Sequence, residues 1–240
     1  MNPRINYPED VIYDNKCDGV EDRVLRHIPT SLPIASFNYR AVKPFLDLLL
    51  VLLALPILLP LGLLIAALIK VTSNGSVLYR HHRIGQFQQP FWVWKFRTMY
   101  ENSDEALERH LENDANARHE WIETHKLRND PRVTPIGKFL RKTSLDEIPQ
   151  FINVLVGNMT IVGPRPIVDK ECIKYGAHLQ THSYAVPGIT GLWQVSGRCE
   201  VTYDERVLLD VHYVRQWSLA MEFKILLKTA VVLLRRTGAY

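Results

Sequence analysis

The feature that most constrains this chain is an apolar run of about 22 residues, LLLVLLALPILLPLGLLIAALI, at positions 48–69. The run carries no charge, and a straight helix of that length, rising about 1.5 Å per residue, would cross a bilayer core of about 30 Å. It begins too far from Met1 to be a cleaved signal peptide, so it remains in the mature protein. A single membrane-spanning helix is the simplest interpretation.

Two observations favour a helix that enters the membrane and returns to the same side. Pro56 and Pro60 lie near the middle of the run, where each removes a backbone donor and disfavours a straight helix. Basic residues flank both ends of the run, and the positive-inside rule places such flanks on the cytoplasmic side. These basic residues are Arg40, Lys43, Lys70, Arg80 and Arg83. The sequence therefore favours a re-entrant hairpin, broken near Pro56 and Pro60, over a true span, with Asp47 near the lipid headgroups.

The composition excludes several classes of protein. With 240 residues, of which 47% are hydrophobic and 22% charged, the chain is neither disordered nor a polytopic membrane protein. Its net charge of +4 fits binding to anionic lipids or phosphates. The zinc-finger spacing, RNP-like stretches and basic leucine heptads of nucleic-acid-binding proteins do not occur. Cys17, Cys172 and Cys199 are scattered without a CxxC pair, which indicates a reducing compartment and no disulfide framework.

After the apolar run, the stretch FWVWKFRTM at positions 91–99 alternates with period two. This pattern predicts a short strand that presents Lys95 and Arg97 from an apolar support. An interfacial aromatic belt with snorkelling cations is the alternative. Residues 102–127 are rich in charge and indicate one or two exposed helices, and a turn-rich linker follows at 129–137.

The stretch TSLDEIPQ places two carboxylates, Asp146 and Glu147, side by side between two amphipathic segments. Pro149 costs little in the first turn of a helix, so the second helix is expected to begin near Leu145 or Asp146. A capping box from Ser144 to Glu147 is the competing placement. Either placement puts both carboxylates at a helix N-terminus, where capping is a common role.

A helix N-terminus also attracts phosphate, so the two carboxylates have a second interpretation. Arg141 and Lys142 lie just upstream, and a phosphoryl group could be held against Asp146. Further along, GPRP at 163–166 holds Arg165 between two prolines, which gives its guanidinium the defined direction that bidentate phosphate recognition requires. No GxGxxG, GxxxxGK[ST], HExxH, GxSxG or paired-cysteine metal motif occurs in the chain. The candidate phosphate-binding residues are Arg141, Arg165, Lys95 and Arg97.

The C-terminal stretch FKILLKTAVVLLRR, residues 223–236, is apolar with interspersed cations. This pattern is typical of a helix that lies in the membrane interface with its basic residues at lipid phosphates. An amphipathic helix packed on the domain's own core fits the pattern about as well.

Four motifs occur in order along the chain: KFRTM, DPRVTPIGKFLRKTSLDEIPQFINVLVGNMTIVGPRP, PGITGLWQVSGR and LLDVHYVRQWS. Together with the upstream apolar run, they resemble the bacterial sugar transferase family, the monotopic phosphoglycosyl transferases. The resemblance extends from about Pro44 to the terminal GAY. The chain resembles the compact form of the family, similar to exopolysaccharide-initiating hexose-1-phosphate transferases.

The resemblance implies a mostly helical α+β fold in three parts. A loosely ordered segment over residues 1–40 precedes a re-entrant membrane helix over residues 41–71, in which Pro60 stands at the family's breaking proline. Residues 72–240 are then a small cytoplasmic, membrane-associated catalytic domain with interfacial amphipathic helices and short strands.

The resemblance also implies an activity. Family members move a phosphosugar from a nucleotide sugar, usually UDP-linked, to undecaprenyl phosphate at the inner face of the cytoplasmic membrane, which starts the assembly of exopolysaccharide or O-antigen-type glycans. The family's Asp-Glu dyad falls on Asp146 and Glu147, and its aspartate is the covalent nucleophile. Mg²⁺ is the usual cofactor, with Asp146 as the expected ligand. Glu147 is expected to orient Asp146 or to assist with protons or the metal.

The expected partners are a UDP-sugar donor, undecaprenyl phosphate, inner-membrane lipids and a second copy of the chain in a homodimer, but no nucleic acid. The stretches GLWQVSGR and GAY resemble members that use UDP-glucose or UDP-galactose. Two alternatives are a direct glycosyltransferase, which would release UDP, and a non-catalytic membrane scaffold of a polysaccharide assembly complex. The family also typically has residues like Arg206, Asp210 and Tyr213. The simplest interpretation is that they lie on a helix packed against the catalytic domain.

Overall fold

The computed structural model describes residues 27–101, 103–124, 127, 129–197 and 201–235. Residues 1–26, which make up most of the segment predicted to be loosely ordered, lie outside the described residues, as do Cys17, Cys199 and the terminal GAY. The described part is a mostly helical α+β fold with one long apolar helix and two small sheets, which confirms the helical α+β part of the predicted fold class.

The apolar run forms one helix, α1, at Lys43–Thr72, and a π-helical turn at Asn38–Val42 precedes it. This helix continues through Pro56 and Pro60, so the structure shows one helix where the prolines predicted a break between two. A proline leaves one backbone hydrogen bond of the helix unmade, and the bonds on either side keep the helix continuous. With its π-helical turn, the helix is long and apolar enough to cross a membrane.

Both ends of α1 contact the same globular part of the chain. Near its N-terminus, Lys43 donates to Glu222 at 2.7 Å, and Asp47 accepts a hydrogen bond from Thr160. Near its C-terminus, Ile65 and Ile69 are buried in a cluster with other apolar side chains of the domain, including Phe96 and Leu140. Between these contacts, α1 leaves a large apolar surface exposed. The helix therefore lies along the domain and is held at both ends.

Two small sheets lie next to this helix. Strands β1 (Leu78–Ile84) and β2 (Pro90–Phe96) pair antiparallel, with Tyr79 opposite Lys95. Strands β3 (Thr160–Val162) and β4 (Gly188–Thr190) pair in parallel. The strand predicted from the alternation at 91–99 is therefore confirmed, although it ends at Phe96.

Helices make up most of the remaining domain. The charge-rich region predicted to be helical forms α2 (Ser103–Asn113) and α3 (Ala115–Thr124). Six further helices follow: α4 (Pro135–Thr143), α5 (Gln150–Leu155), α6 (Asp169–Tyr175), α7 (Leu179–Ser183), α8 (Tyr203–Gln216) and α9 (Leu219–Arg235). The 3₁₀ turns are at Pro33–Ala35, Gln86–Gln88, Leu145–Glu147, Gly176–His178 and Trp193–Val195.

Helix α9 combines the two interpretations of the C-terminal sequence. Its Ile225 is buried in the main apolar cluster, so one face packs on the domain. Phe223, Leu227 and Val231 recur every four residues and are all exposed. Because residues four apart lie on one face, they form an apolar stripe that faces away from the domain.

Candidate active site

The Asp-Glu pair lies in a tight turn between two helices. Helix α4 begins with Thr134 as its cap and ends at Ser144, whose φ of 56° stops the helix. A single 3₁₀ turn then holds Asp146 and Glu147, and α5 begins only at Gln150. The expected helix start near Leu145 or Asp146 is therefore wrong.

Pro149 explains the shift in the helix start. An α-helix through this segment would need an N–H at Pro149 to bond the carbonyl of Leu145, and proline has none. The Leu145 carbonyl accepts instead from the amide of Ile148 at 3.3 Å, which is a 3₁₀ bond. The Ser144 side chain makes no capping bond, so the competing capping box is not formed either.

Lys95 of β2 connects the β1–β2 sheet to the carboxylate pair. Its Nζ lies 2.7 Å from Oε1 of Glu147 and 3.9 Å from Oδ2 of Asp146. Asp146 is the less exposed of the two acids, with 13% of its side chain exposed against 33% for Glu147. Glu147 therefore makes the short ion pair with Lys95, whereas the less exposed Asp146 makes only the longer contact with it.

The two carboxylates differ in their pKa. Burial raises the pKa of Asp146 to about 6, and the charge on Glu147 adds to the rise, although Lys95 and Arg141 oppose it. Burial alone would also raise the pKa of Glu147, but Lys95 and Arg165 together hold it below its usual value. At neutral pH both are largely ionised, and Asp146 is a poorly solvated carboxylate. Such a carboxylate is a stronger nucleophile than one in bulk water.

Two arginines complete the positive surroundings of the pair. Arg141 of α4 donates from Nε to the hydroxyl of Thr98 at 2.9 Å, and its charge lowers the pKa of Asp146. Arg165 lies over the ring of Trp193, 5.6 Å from its centroid, and its charge lowers the pKa of Glu147. Its Nε makes no hydrogen bond within the described residues. The structure thus brings together Asp146, Glu147, Lys95, Arg141 and Arg165.

Arg97, the fourth predicted phosphate-binding residue, has a different environment. It is buried, and its guanidinium donates to the carbonyl and hydroxyl oxygens of Ser73 at 3.1 and 2.9 Å. Ser73 caps the end of α1. The described contacts of Arg97 therefore hold the end of α1 against the end of strand β2.

Strand β1 supplies residues that the sequence reasoning did not place in the site. The Nδ1 of His81 lies 3.3 Å from a guanidinium nitrogen of Arg83. Burial, with the charges of Arg83, Lys95 and Arg165, lowers the pKa of His81 to about 4, so these cations surround a neutral imidazole. His81 reaches this position through the antiparallel pairing of β1 with β2, which the sequence alone does not show.

The carboxylate pair also satisfies the basic requirement for Mg²⁺. Among the described residues, no group of three or more His, Cys, Asp or Glu side chains could by itself hold a metal ion. Mg²⁺, however, is commonly held by one or two carboxylates together with substrate phosphates. Asp146 and Glu147 provide such hard oxygen donors, and the partly buried carboxylate of Asp146 has only partial charge compensation from Lys95. The residues present fit the ion when a phosphate-bearing ligand completes its coordination.

Comparison with known proteins identifies the family. The family model for bacterial sugar transferases matches residues 38–236, which include α1 and the whole candidate site. The chain belongs to the bacterial sugar transferase family. This membership confirms the resemblance found in the sequence and, with the long apolar helix, supports association with a membrane.

Three relatives illustrate the range of the family. The chain is 48% identical to the undecaprenyl-phosphate galactose phosphotransferase of Salmonella typhimurium over 86% of this chain and 43% of that protein. It is 44% identical to the exopolysaccharide production protein ExoY of Sinorhizobium fredii, over 87% of this chain and 90% of ExoY. It is 38% identical to the UDP-glucose:undecaprenyl-phosphate glucose-1-phosphate transferase of Escherichia coli, over 82% of this chain and 41% of that protein. The chain thus spans less than half of two of these sugar transferases and most of ExoY.

Proposed function

We propose that this bacterial sugar transferase moves a sugar 1-phosphate from a UDP-sugar to undecaprenyl phosphate and releases UMP. The observation that carries the proposal is the partly buried Asp146 carboxylate, which lies beside a Glu147–Lys95 ion pair and among further cations. The printed names of two relatives, which describe transfer of galactose or glucose phosphates involving undecaprenyl phosphate, support the same reaction.

The reaction divides into two displacements at one phosphorus atom. In the first, an oxygen of Asp146 bonds to the β-phosphorus of the UDP-sugar. The bond from this phosphorus to the oxygen that it shares with the α-phosphorus breaks, and UMP leaves with that oxygen and the electron pair. In the second, an oxygen of undecaprenyl phosphate bonds to the same phosphorus, and the Asp146 carboxylate is released. One site can thus serve a soluble donor and a lipid acceptor in turn.

The side chains around Asp146 have separate roles in this scheme. Lys95 holds Glu147 by its direct ion pair. Glu147 in turn orients the adjacent Asp146. Arg141 and Arg165 offer positive charge to the phosphoryl oxygens, and such stabilisation accounts for most catalysis of phosphoryl transfer. When bound, Mg²⁺ would be held by Asp146 with Glu147 and would neutralise charge on the diphosphate.

The contacts of α1 support a re-entrant arrangement at the membrane. Lys43 and Ile69, near opposite ends of the helix, both pack against the catalytic domain. A helix that crossed the bilayer would place its ends on opposite sides, so these contacts favour a helix whose two ends stay on the same side of the membrane. The exposed apolar surfaces of α1 and α9 would then lie in lipid, with the domain on the cytoplasmic face of the inner membrane.

The sugar is proposed to be galactose or glucose, since relatives of both kinds match over most of this chain. The test uses purified protein in nanodiscs with Mg²⁺, undecaprenyl phosphate and a panel of UDP-sugars, and it separates UMP from UDP. UMP formed with UDP-galactose or UDP-glucose, and lost in Asp146→Asn, is the expected result. UDP would indicate direct glycosyl transfer, and neither nucleotide would favour a non-catalytic scaffold.

A further inference from the structure

The peptide group that follows Arg165 is held by a buried histidine from a distant helix. Nε2 of His182, on α7, lies 3.1 Å from the carbonyl oxygen of Arg165. A carbonyl can only accept, so Nε2 carries the proton and donates it. His182 is buried, and its burial lowers its pKa to about 4, which keeps the ring neutral. The contact is thus a directional bond from a rigid side chain.

A buried carboxylate lies beside this histidine. Asp210 of α8 is fully buried, and its Oδ2 accepts from the hydroxyl of Tyr175 at 2.8 Å and lies 3.8 Å from Nε2 of His182. Burial raises the pKa of Asp210 to about 7, whereas the Tyr175 hydroxyl, the charge of Arg206 and the backbone N–H and charge of Arg165 lower it. Within the described part of the chain, Asp210 has no salt bridge to an arginine or lysine, and its Oδ1 accepts no hydrogen bond, so the burial of this carboxylate is costly.

The rest of this segment is also tied down. Pro164 and Pro166 restrict the backbone on both sides of Arg165. The carbonyl of Pro164 accepts from the amide of Gly188 at 2.8 Å, and that of Pro166 accepts from Arg83 at 3.3 Å. Gly188 is required there, because a Cβ would lie 2.1 Å from the amide nitrogen of Gly163. Residues from three elements thus fix the direction in which the Arg165 side chain leaves the backbone.

We propose that His182 and Asp210 are positioning residues that act on the transfer reaction through Arg165. His182 holds the peptide group that follows Arg165, and Asp210 lies 3.8 Å from His182 behind it, so that the guanidinium of Arg165 stays over Trp193 and close enough to act on Glu147. The inference rests on the proposed function, in which Arg165 binds the diphosphate of the donor. It assigns a role to a buried polar cluster that lies behind the site and does not touch the reacting atoms.

A double-mutant cycle between His182 and Arg165 tests the proposal. His182→Leu removes the donor, whereas His182→Gln keeps an N–H that can reach the carbonyl. Because displacement by about 1 Å can reduce catalysis by about 100-fold, His182→Leu is expected to lower kcat/KM for UMP release by about 10- to 100-fold, and His182→Gln by less than about threefold. In an Arg165→Ala background, His182→Leu is expected to have no further effect.

The same cycle is measured in the Kd for UDP-galactose and UDP-glucose by calorimetry. Wild-type protein that binds a donor but releases no UMP would refute the proposed reaction, while the coupling in Kd would still decide the role of His182. Losses that simply add in the double variant would overturn the positioning role, as would binding that is unchanged in every His182 variant. If His182→Leu does not fold, His182→Asn, whose amide is too short for this carbonyl, replaces it in the cycle.

A second pair of variants separates positioning from stability. Asp210→Asn is expected to weaken donor binding and to lose that effect in the Arg165→Ala background. The control is Tyr213→Phe, on the same helix, because the Tyr213 hydroxyl bonds the carbonyl of Val162 and Glu222. The control is expected to lower the unfolding temperature and leave Kd unchanged. A loss of donor affinity in Tyr213→Phe that matches the loss in Asp210→Asn would overturn the assignment of Asp210.

Discussion

Replacement of Lys95 by methionine should move the pH dependence of the reaction. Lys95 Nζ lies 3.9 Å from Asp146 and lowers its pKa, which burial raises to about 6. At this distance two unit charges interact by about 4 kcal/mol at an effective dielectric constant of about 20 and by about 1 kcal/mol in water. The Lys95 side chain is 28% exposed, so screening favours the lower part of this range. About 1.4 kcal/mol corresponds to one pKa unit, so the pKa of Asp146 should rise by about one unit.

The sign of the effect follows from the role of Asp146 as nucleophile. Its ionised form reacts, so kcat/KM for UMP release should rise with pH through the pKa near 6 in the wild type. In Lys95→Met the same rise should occur near pH 7, whereas Lys95→Arg should keep it close to the wild-type position. Lys138→Met, which removes an exposed cation of α4, serves as the matched control and should leave the profile in place. An acid limb that stays unmoved in Lys95→Met, or moves to lower pH, would refute the reasoning.

Three further predictions concern stability and membrane binding. Asp146→Asn should abolish UMP release yet raise thermal stability at pH 8, because a rise in pKa from 3.8 to about 6 on folding costs about 3 kcal/mol once the carboxylate ionises. The gain should fade as the pH falls through 6 and vanish below about 4, and a variant less stable than wild type at pH 8 would contradict it. Lys43→Met should lower the free energy of unfolding, measured by chemical denaturation, by about 3–5 kcal/mol, because it leaves Glu222 buried without its cation. The double variant Lys43→Met with Glu222→Gln should recover part of this loss. No recovery would count against the buried ion pair. The side chains of Phe223 and Leu227 are 63% and 54% exposed. Phe223→Ser and Leu227→Ser should each weaken binding to anionic vesicles by about tenfold without a change in circular dichroism, because each loses about 1–2 kcal/mol of apolar burial in the membrane. Unchanged sedimentation with vesicles would exclude the α9 stripe as a membrane contact.

The sequence predicted best where a pattern depends only on local geometry. The alternation in FWVWKF predicted β2, and the charge-rich region after it predicted α2 and α3. The catalytic role expected for Asp146 and Glu147 came from the resemblance of the motifs to a known family, not from a local pattern. The local pattern placed the helix start too early, because Pro149 has no N–H to bond the Leu145 carbonyl, and the α-helix begins only after it, at Gln150.

The arrangement of the site depends on contacts between distant residues. The alternation grouped Lys95 with Arg97, but the strand ends at Phe96, so Arg97 turns to Ser73 while Lys95 reaches Glu147. Prolines in α1 predicted a break, and the structure shows a continuous helix held at both ends by tertiary contacts. Such contacts join residues far apart in the chain, and no local pattern in a single sequence encodes them.

The central claim is that Asp146 forms a covalent bond to the phosphosugar, and trapping that adduct tests it most directly. The protein would be mixed with UDP-galactose or UDP-glucose and Mg²⁺ without undecaprenyl phosphate, quenched rapidly, and analysed by intact-protein and peptide mass spectrometry. The account predicts a burst of about one equivalent of UMP and a hexose-phosphate adduct on the peptide that contains Asp146, both absent in Asp146→Asn. UMP that forms only when undecaprenyl phosphate is present, with no adduct on the protein, would contradict it.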